Sequence, residues 1–241
     1  AIRNVMKEAH LKRIAITPER IFAQKKRFIE TQSGGLLEIL QPMWGIEAIG
    51  GLEEHKRYIY EVVAAMKSGD LLAVPMGVLL LGAPGTGKTV FAESVAHEAN
   101  IPFVRMKNIR EKWVGQSERN MDLALELIAA QSPVVVFVDE IDQQFQSRNS
   151  IGDNTGVNNH IQGQLFQFMS DTNLRGKVVW LAASNRPDLM DPAMLREGRI
   201  DEKIPFFPPE AKERGEILLA ILEKMKAQAK AQKVDFAYEI S

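Results

Sequence analysis

Gly82-Ala83-Pro84-Gly85-Thr86-Gly87-Lys88-Thr89 fits the pattern G-x-x-x-x-G-K-[ST], and the spacing has a mechanical reason. Glycines in this run let the backbone take positive φ and come close to a ligand. The turn then aims successive N–H groups at one point and makes an anion nest. A helix starting here adds its positive dipole end. Lys88 supplies a full charge for β- and γ-phosphates, and the Thr89 hydroxyl is a hard oxygen ligand suited to Mg²⁺. The flanks agree with this reading. Gly77-Val78-Leu79-Leu80-Leu81 is a continuous apolar run, as in a parallel strand buried on both faces. Thr89 to Asn100 carries Val90, Phe91, Ala92, Val95, Ala96 and Ala99, the apolar face of a helix that stops near Asn100 and Pro102. A glycine-rich turn with a solvated lysine would not need this strand–loop–helix order.

Outward from the loop, apolar strands and helices alternate. Strands are expected at 77–82, 102–106, 134–138, 178–183 and 203–207. Helices are expected near 53–67, 89–99, 117–131, 156–170 and 210–226, the last able to continue through the Ala/Gln/Lys-rich stretch 227–233. This alternation argues for a parallel sheet covered on both sides. Thr17-Pro18-Glu19 reads as a cap and first turn opening a helix at about 18–32, and Ile2, Val5, Met6 and Ala9 mark an amphipathic helix before it. Ser33-Gly34-Gly35 reads as a break and 41–45 as a connector, so 1–45 is expected to lie outside the main core.

Composition narrows the possibilities. The 241 residues are 45% hydrophobic and 25% charged, which are ordinary globular values. A net charge of −1 conceals eight Lys/Arg against three Asp/Glu within residues 1–33. The remainder is therefore acidic and no general polyanion binder, and a solvated helix accounts for the basic segment. The chain contains no cysteine, which excludes disulfides and thiolate metal sites and suits the cytoplasm or another reducing compartment. No apolar run approaches the length of a membrane span.

Val134-Val135-Val136-Phe137-Val138 ends in Asp139-Glu140, two acids at the carboxyl end of a buried strand, where open α/β sheets bind ligands. Asp139 is placed to hold Mg²⁺ beside Thr89, directly or through water. Glu140 is placed to take a proton from a water attacking the γ-phosphate. Read alone, Asn185 also suits a turn before Arg186-Pro187, and Arg196 and Arg199 also suit a surface where they pair with Glu197, Asp201 or Glu202.

Together, the loop at 82–89, Val-Asp-Glu-Ile-Asp at 138–142, and the segment from Ala183-Ser184-Asn185-Arg186-Pro187-Asp188 to Arg196-Glu197-Gly198-Arg199-Ile200-Asp201 resemble the AAA+ ATPases. The 183–201 segment is similar to the second region of homology that marks the AAA clade. The resemblance covers about 46–222. It implies an α/β, three-layer P-loop NTPase fold with a parallel five-stranded sheet, an N-terminal helical extension (1–45), a large α/β subdomain (46–209) and the start of a helical lid (210–241). It implies ATP/ADP as ligands, with Mg²⁺. Nucleotide contacts would come from Gly82, Ala83, Pro84, Gly85, Thr86, Gly87, Lys88, Thr89, Val90 and Asp139. Further contacts would come from Ile49 and Gly51 of the adenine-side motif Ile49-Gly50-Gly51-Leu52, which has Ala48 where an acid is usual.

The resemblance further implies that Asn185 orients the attacking water with Glu140. It gives Arg196 and Arg199 a place in a neighbouring subunit's site within a homo-oligomeric ring, six-membered in this family. Lys112, Trp113 and Val114 resemble the pore loop that grips polypeptide, although a tryptophan packed in its own core fits the same residues. Arg148 is similar to an interface arginine. Met169-Ser170-Asp171 departs from the usual Met-Asp-Gly. The expected activity is Mg-dependent ATP hydrolysis coupled to protein unfolding or remodelling. An AAA+ subunit acting on nucleic acid and a nucleotide-dependent scaffold are the other readings. The basic N-terminal segment is the only support for the first, and intact Glu140 and paired arginines argue against the second.

Overall fold

A computed structural model describes residues 15–107, 117–144 and 155–231. The amphipathic helix expected around residues 2–9 and the pore-loop residues 112–114 lie outside them, as does Arg148. In chain order the elements are α1 (Pro18–Gln32), β1 (Leu37–Leu40), α2 (Glu53–Ser68), β2 (Gly77–Gly82), α3 (Lys88–Ala99), β3 (Phe103–Met106) and α4 (Ser117–Ala130). They continue with β4 (Val134–Val138), the short α5 (Ile141–Gln144), α6 (Thr155–Met169), β5 (Val178–Ser184), β6 (Glu202–Phe206) and α7 (Ala211–Ala231).

All five expected strands form, and they pair in parallel in the order β3-β4-β5-β2-β6. Their apolar runs are continuous because both faces are covered. In β4, Val134, Val136 and Val138 face one apolar cluster, with Met121, Leu125 and Ile128 of α4 and Leu165 of α6. Val135 and Phe137 face the other, with Ile59 and Val63 of α2 and Phe91 and Val95 of α3. The period of two sorts one strand's side chains into two cores and gives three layers.

Among the described residues the sheet has six strands rather than five. β1 pairs antiparallel with β3, from Leu37 opposite Met106 to Leu40 opposite Phe103. Leu36, Leu37 and Ile39 are buried, together with Ile29 of α1. Residues 37–40 therefore sit in the main core, contrary to the expectation that everything before 46 lies outside it. The strand is only four residues long and follows two turn glycines, so it carries little periodic signal. Glu38 points outward between Lys26 and Lys107, at 3.7 and 3.2 Å, which suits an edge strand.

α7 packs its first turns over residues 50–51. A Cβ on Gly50 would collide with the backbone of Ile217 and Glu216, so only glycine permits this approach. Leu218, Ile221 and Met225 of the expected apolar face of α7 are exposed. No described helix is long and apolar enough to cross a membrane.

If β1 belongs to the core, Leu37→Ala should cost about 2–5 kcal/mol in urea unfolding. A loss below about 0.5 kcal/mol would return the strand to the periphery.

Candidate nucleotide site

The register of the sheet decides which residues meet. Leu81 lies beside Ser184, and Val138 lies beside Ala182. The next residues along these strands are Gly82 of the phosphate loop, Asn185, and Asp139 with Glu140. Three segments separated widely in sequence thus reach one edge of the sheet, at the carboxyl ends of its strands.

Lys88 is the centre of this edge. The residue is only 8% exposed, and Nζ donates to Gly82 O at 2.7 Å, to Ala83 O at 2.8 Å and to Asn185 Oδ1 at 3.0 Å. Burial pushes the ammonium's pKa down, while the charges of Asp139 and Asp142 oppose that shift. The loop around it is an open cradle. Gly85 and Gly87 have φ of 78° and 97°. A Cβ on Gly85 would meet nothing within 4 Å, and one on Gly87 only Leu52 Cδ1 at 3.8 Å. Thr86 Oγ1 donates to Ala83 O at 2.9 Å and holds the turn in shape. Thr89, half-buried, is the second residue of α3.

Asp139 and Glu140 are exposed. Glu140 has φ of 47°, the left-handed region that a non-glycine residue seldom occupies. Its N–H donates to Asp139 Oδ1 at 3.0 Å, and Gln144 Nε2 donates to Asp139 O at 2.8 Å. These bonds hold the strained turn that presents both carboxylates beyond the strand.

The arginine pair stands elsewhere. Asp201 N donates to Gly77 O at the start of β2, whereas the phosphate loop follows its end. At about 3.3 Å per residue, those ends are about 16 Å apart. Arg199 points away from its own loop. Its Nε donates to Ser170 Oγ at 2.8 Å, and its guanidinium lies 4.8 Å from the Phe166 ring centroid. Burial, then the nearby charge of Arg196, holds its pKa below the ordinary arginine value. Arg196 is exposed, and its side chain makes no hydrogen bond or ion pair among the described residues. The two arginines border a cleft of about 870 Å³ with Phe166, Ser170 and Asp191. Pairing of Arg199 with Glu197, Asp201 or Glu202 is not what the structure contains.

Comparison with known proteins gives the family. The family model described as "ATPase family associated with various cellular activities (AAA)" matches residues 78–208, more than half of the chain. The chain belongs to the AAA family. A cell division cycle protein 48 homolog of Archaeoglobus fulgidus is 38% identical over 190 residues, covering 76% of this chain and 26% of the relative. A proteasome-activating nucleotidase of Methanococcus maripaludis is 38% identical over 196 residues, 77% of this chain and 48% of the relative. An ATP-dependent zinc metalloprotease FtsH 2 of Bdellovibrio bacteriovorus is 38% identical over 188 residues, 74% of this chain and 31% of the relative. The chain thus spans between about a quarter and a half of these relatives' lengths.

Two residues of this AAA chain that motif reading left without a role are structurally central. Asp142, 3% exposed, accepts from Asn185 N at 3.4 Å. It ties the short helix after Glu140 to the end of β5. Asp201 accepts from Gly198 N at 2.7 Å and Met76 N at 2.8 Å, with Arg175 at 3.5 Å. It fastens the turn carrying the arginine pair to the start of β2. An Asp two residues after Arg199 was visible in the sequence, but its backbone partner at position 76 was not. Ile49 is buried, and Gly51, with φ of 66°, lies against Glu213 and Glu216 of α7.

Asp201→Ala leaves two part-buried N–H groups unpaired. It should cost about 1–3 kcal/mol of stability in denaturant unfolding. An unchanged midpoint would mean that the turn is held by its other contacts.

Proposed function

We propose that this chain hydrolyses ATP with Mg²⁺ at a site shared between two copies, and that the full protein uses the energy to unfold or remodel other proteins. The observation that carries this reading is the meeting of Lys88, Asn185 and the Asp139–Glu140 turn at one sheet edge, with Lys88 Nζ 3.0 Å from Asn185 Oδ1. The N–H groups of 85–89 and Lys88 bind the phosphates, and Ile49 and Gly51 face the base. Val90 adds contact as the helix starts. Thr89 and Asp139 offer hydroxyl and carboxylate oxygens, which suit Mg²⁺, and among the described residues no cluster of three metal-binding side chains replaces them. When bound, Mg²⁺ would neutralise charge on the β- and γ-phosphate oxygens.

Glu140 takes a proton from the attacking water as its oxygen bonds to γ-phosphorus and the bond to the β-γ bridging oxygen breaks. The products are ADP and phosphate. Asn185, able to donate and accept through one amide, orients that water. The arginines complete a neighbour's site. About 16 Å of β2 separates them from their own loop, and a planar guanidinium suits charge spread over a transferring phosphoryl group. Head-to-tail contacts form a ring when their rotation closes; the family resemblance supports a closed ring of six, and a Lys112-Trp113-Val114 loop would supply the grip on polypeptide. The names of two relatives, a proteasome-activating nucleotidase and an ATP-dependent zinc metalloprotease, support protein substrates over nucleic acid.

Glu140→Gln should retain ATP binding and lower turnover by at least about a hundredfold, leaving ATP trapped. A single-turnover assay showing wild-type cleavage would remove Glu140 from the base role. Arg199→Ala should bind nucleotide normally yet lose the rise in specific activity with protein concentration. Retention of that rise would end the trans assignment.

A further inference from the structure

The turn that faces the base is fastened to the phosphate-loop helix by side chains outside every motif. Residues 46–48 form one 3₁₀ turn, Ile46–Ala48, leading directly to Ile49. Its first N–H groups have no partner within the turn. Gly45 N donates to Glu47 Oε1 at 2.8 Å, and Ile46 N donates to Glu98 Oε1 at 3.1 Å. Gly45 O lies 2.9 Å from Ser94 Oγ, a hydroxyl equally close to Val90 O. Ser94 and Glu98 both belong to α3. The packing is close enough that a Cβ on Gly45 would collide with Glu98 Oε1 and His97 Nδ1. On its other side, the same segment carries Trp44 beneath Lys224 of α7, at 5.2 Å from the ring centroid.

α3 therefore does two jobs along one rigid rod. Its first turn carries Lys88 and Thr89 for the phosphates. Ten residues on, about 15 Å at 1.5 Å per residue, Glu98 anchors the turn for the base. We propose that Glu98 is a positioning residue that sets the distance between phosphate recognition and base recognition. This rests on the nucleotide reading above. Glu98 touches no nucleotide. It acts through Ile46 N and hence through Ile49 to Gly51. Ser94 is a weaker candidate, because its one proton has a second acceptor in its own helix. Glu98 is 27% exposed on its side chain, so it can be replaced without opening a core cavity.

The test separates the two ends of the ligand. With the whole chain and Mg²⁺ present, the Kd of ATP is measured by calorimetry, and that of inorganic tripolyphosphate by competition. Glu98→Ala should weaken ATP about tenfold, the worth of one charge-assisted hydrogen bond. It should change tripolyphosphate less than about twofold, the scale on which a contact outside the phosphate site is neutral. Amide exchange at Ile46 should accelerate in the same variant. Glu98→Gln keeps an acceptor oxygen and should recover most of the ATP affinity. Lys88→Ala should lose both ligands. Equal weakening of ATP and tripolyphosphate in Glu98→Ala, wild-type affinity for ATP, or a Glu98→Gln variant no better than Glu98→Ala each overturns the proposal. A wild-type chain that binds neither ligand defeats the nucleotide reading itself, and this inference with it.

Discussion

β2 is the member on which the other parts are hung. It is hydrogen-bonded on both sides, to β5 and β6, and its apolar residues Val78, Leu79 and Leu80 are buried on both faces. A one-residue slip of this strand would exchange its side chains between two differently shaped cores, so close packing fits one register. Its carboxyl end delivers Gly82 to the phosphate loop. Its amino end receives Asp201 N at Gly77 O, and Met76 N meets the Asp201 carboxylate. One strand thus holds the phosphate loop at one end and the arginine-bearing turn at the other, about 16 Å apart.

Charge burial explains the local order at the loop. An ammonium as enclosed as that of Lys88 is costly unless its protons are matched. Here two carbonyls of its own loop and the amide oxygen of Asn185 match all three. That pattern makes the end of β5 part of the phosphate site without a covalent or sequential link. It also places Asn185, through its N–H, within reach of Asp142 on the helix that follows Glu140. Lys88, Asn185 and Asp142 form one hydrogen-bonded chain at the end of an otherwise apolar sheet.

Much of this was legible in the primary structure, and for definite reasons. Long apolar strand runs and helices with a period of 3.6 carry strong signals, so β2 to β6 and the helices α2, α3, α4, α6 and α7 fell close to expectation. The four-residue α5 was not expected, because a single turn is too short to show a period. Residues whose chemistry depends on spacing along the chain, such as Gly82 to Thr89 and Asp139-Glu140, were equally visible. β1 was not, because four residues beside two turn glycines look like a connector until β3 offers them a ladder. Asp142, Asp201, Ser94 and Glu98 were missed as supports because each acts on a backbone group many positions away. A carboxylate accepting from a backbone N–H leaves no residue-type signature at the partner.

The sequence by itself determined the chemistry on offer: a glycine loop with a lysine, a strand ending in two acids, an amide after another strand, and two arginines three residues apart. Those depend on residue type and local period. Tertiary structure alone decided which of them share a site. Parallel register brought Lys88 and Asn185, 97 residues apart, to 3.0 Å, and the same register set Arg199 at the far end of β2, turned toward Phe166 and Ser170. Distance along a chain says nothing of distance across a sheet, and only the second decides which side chains meet.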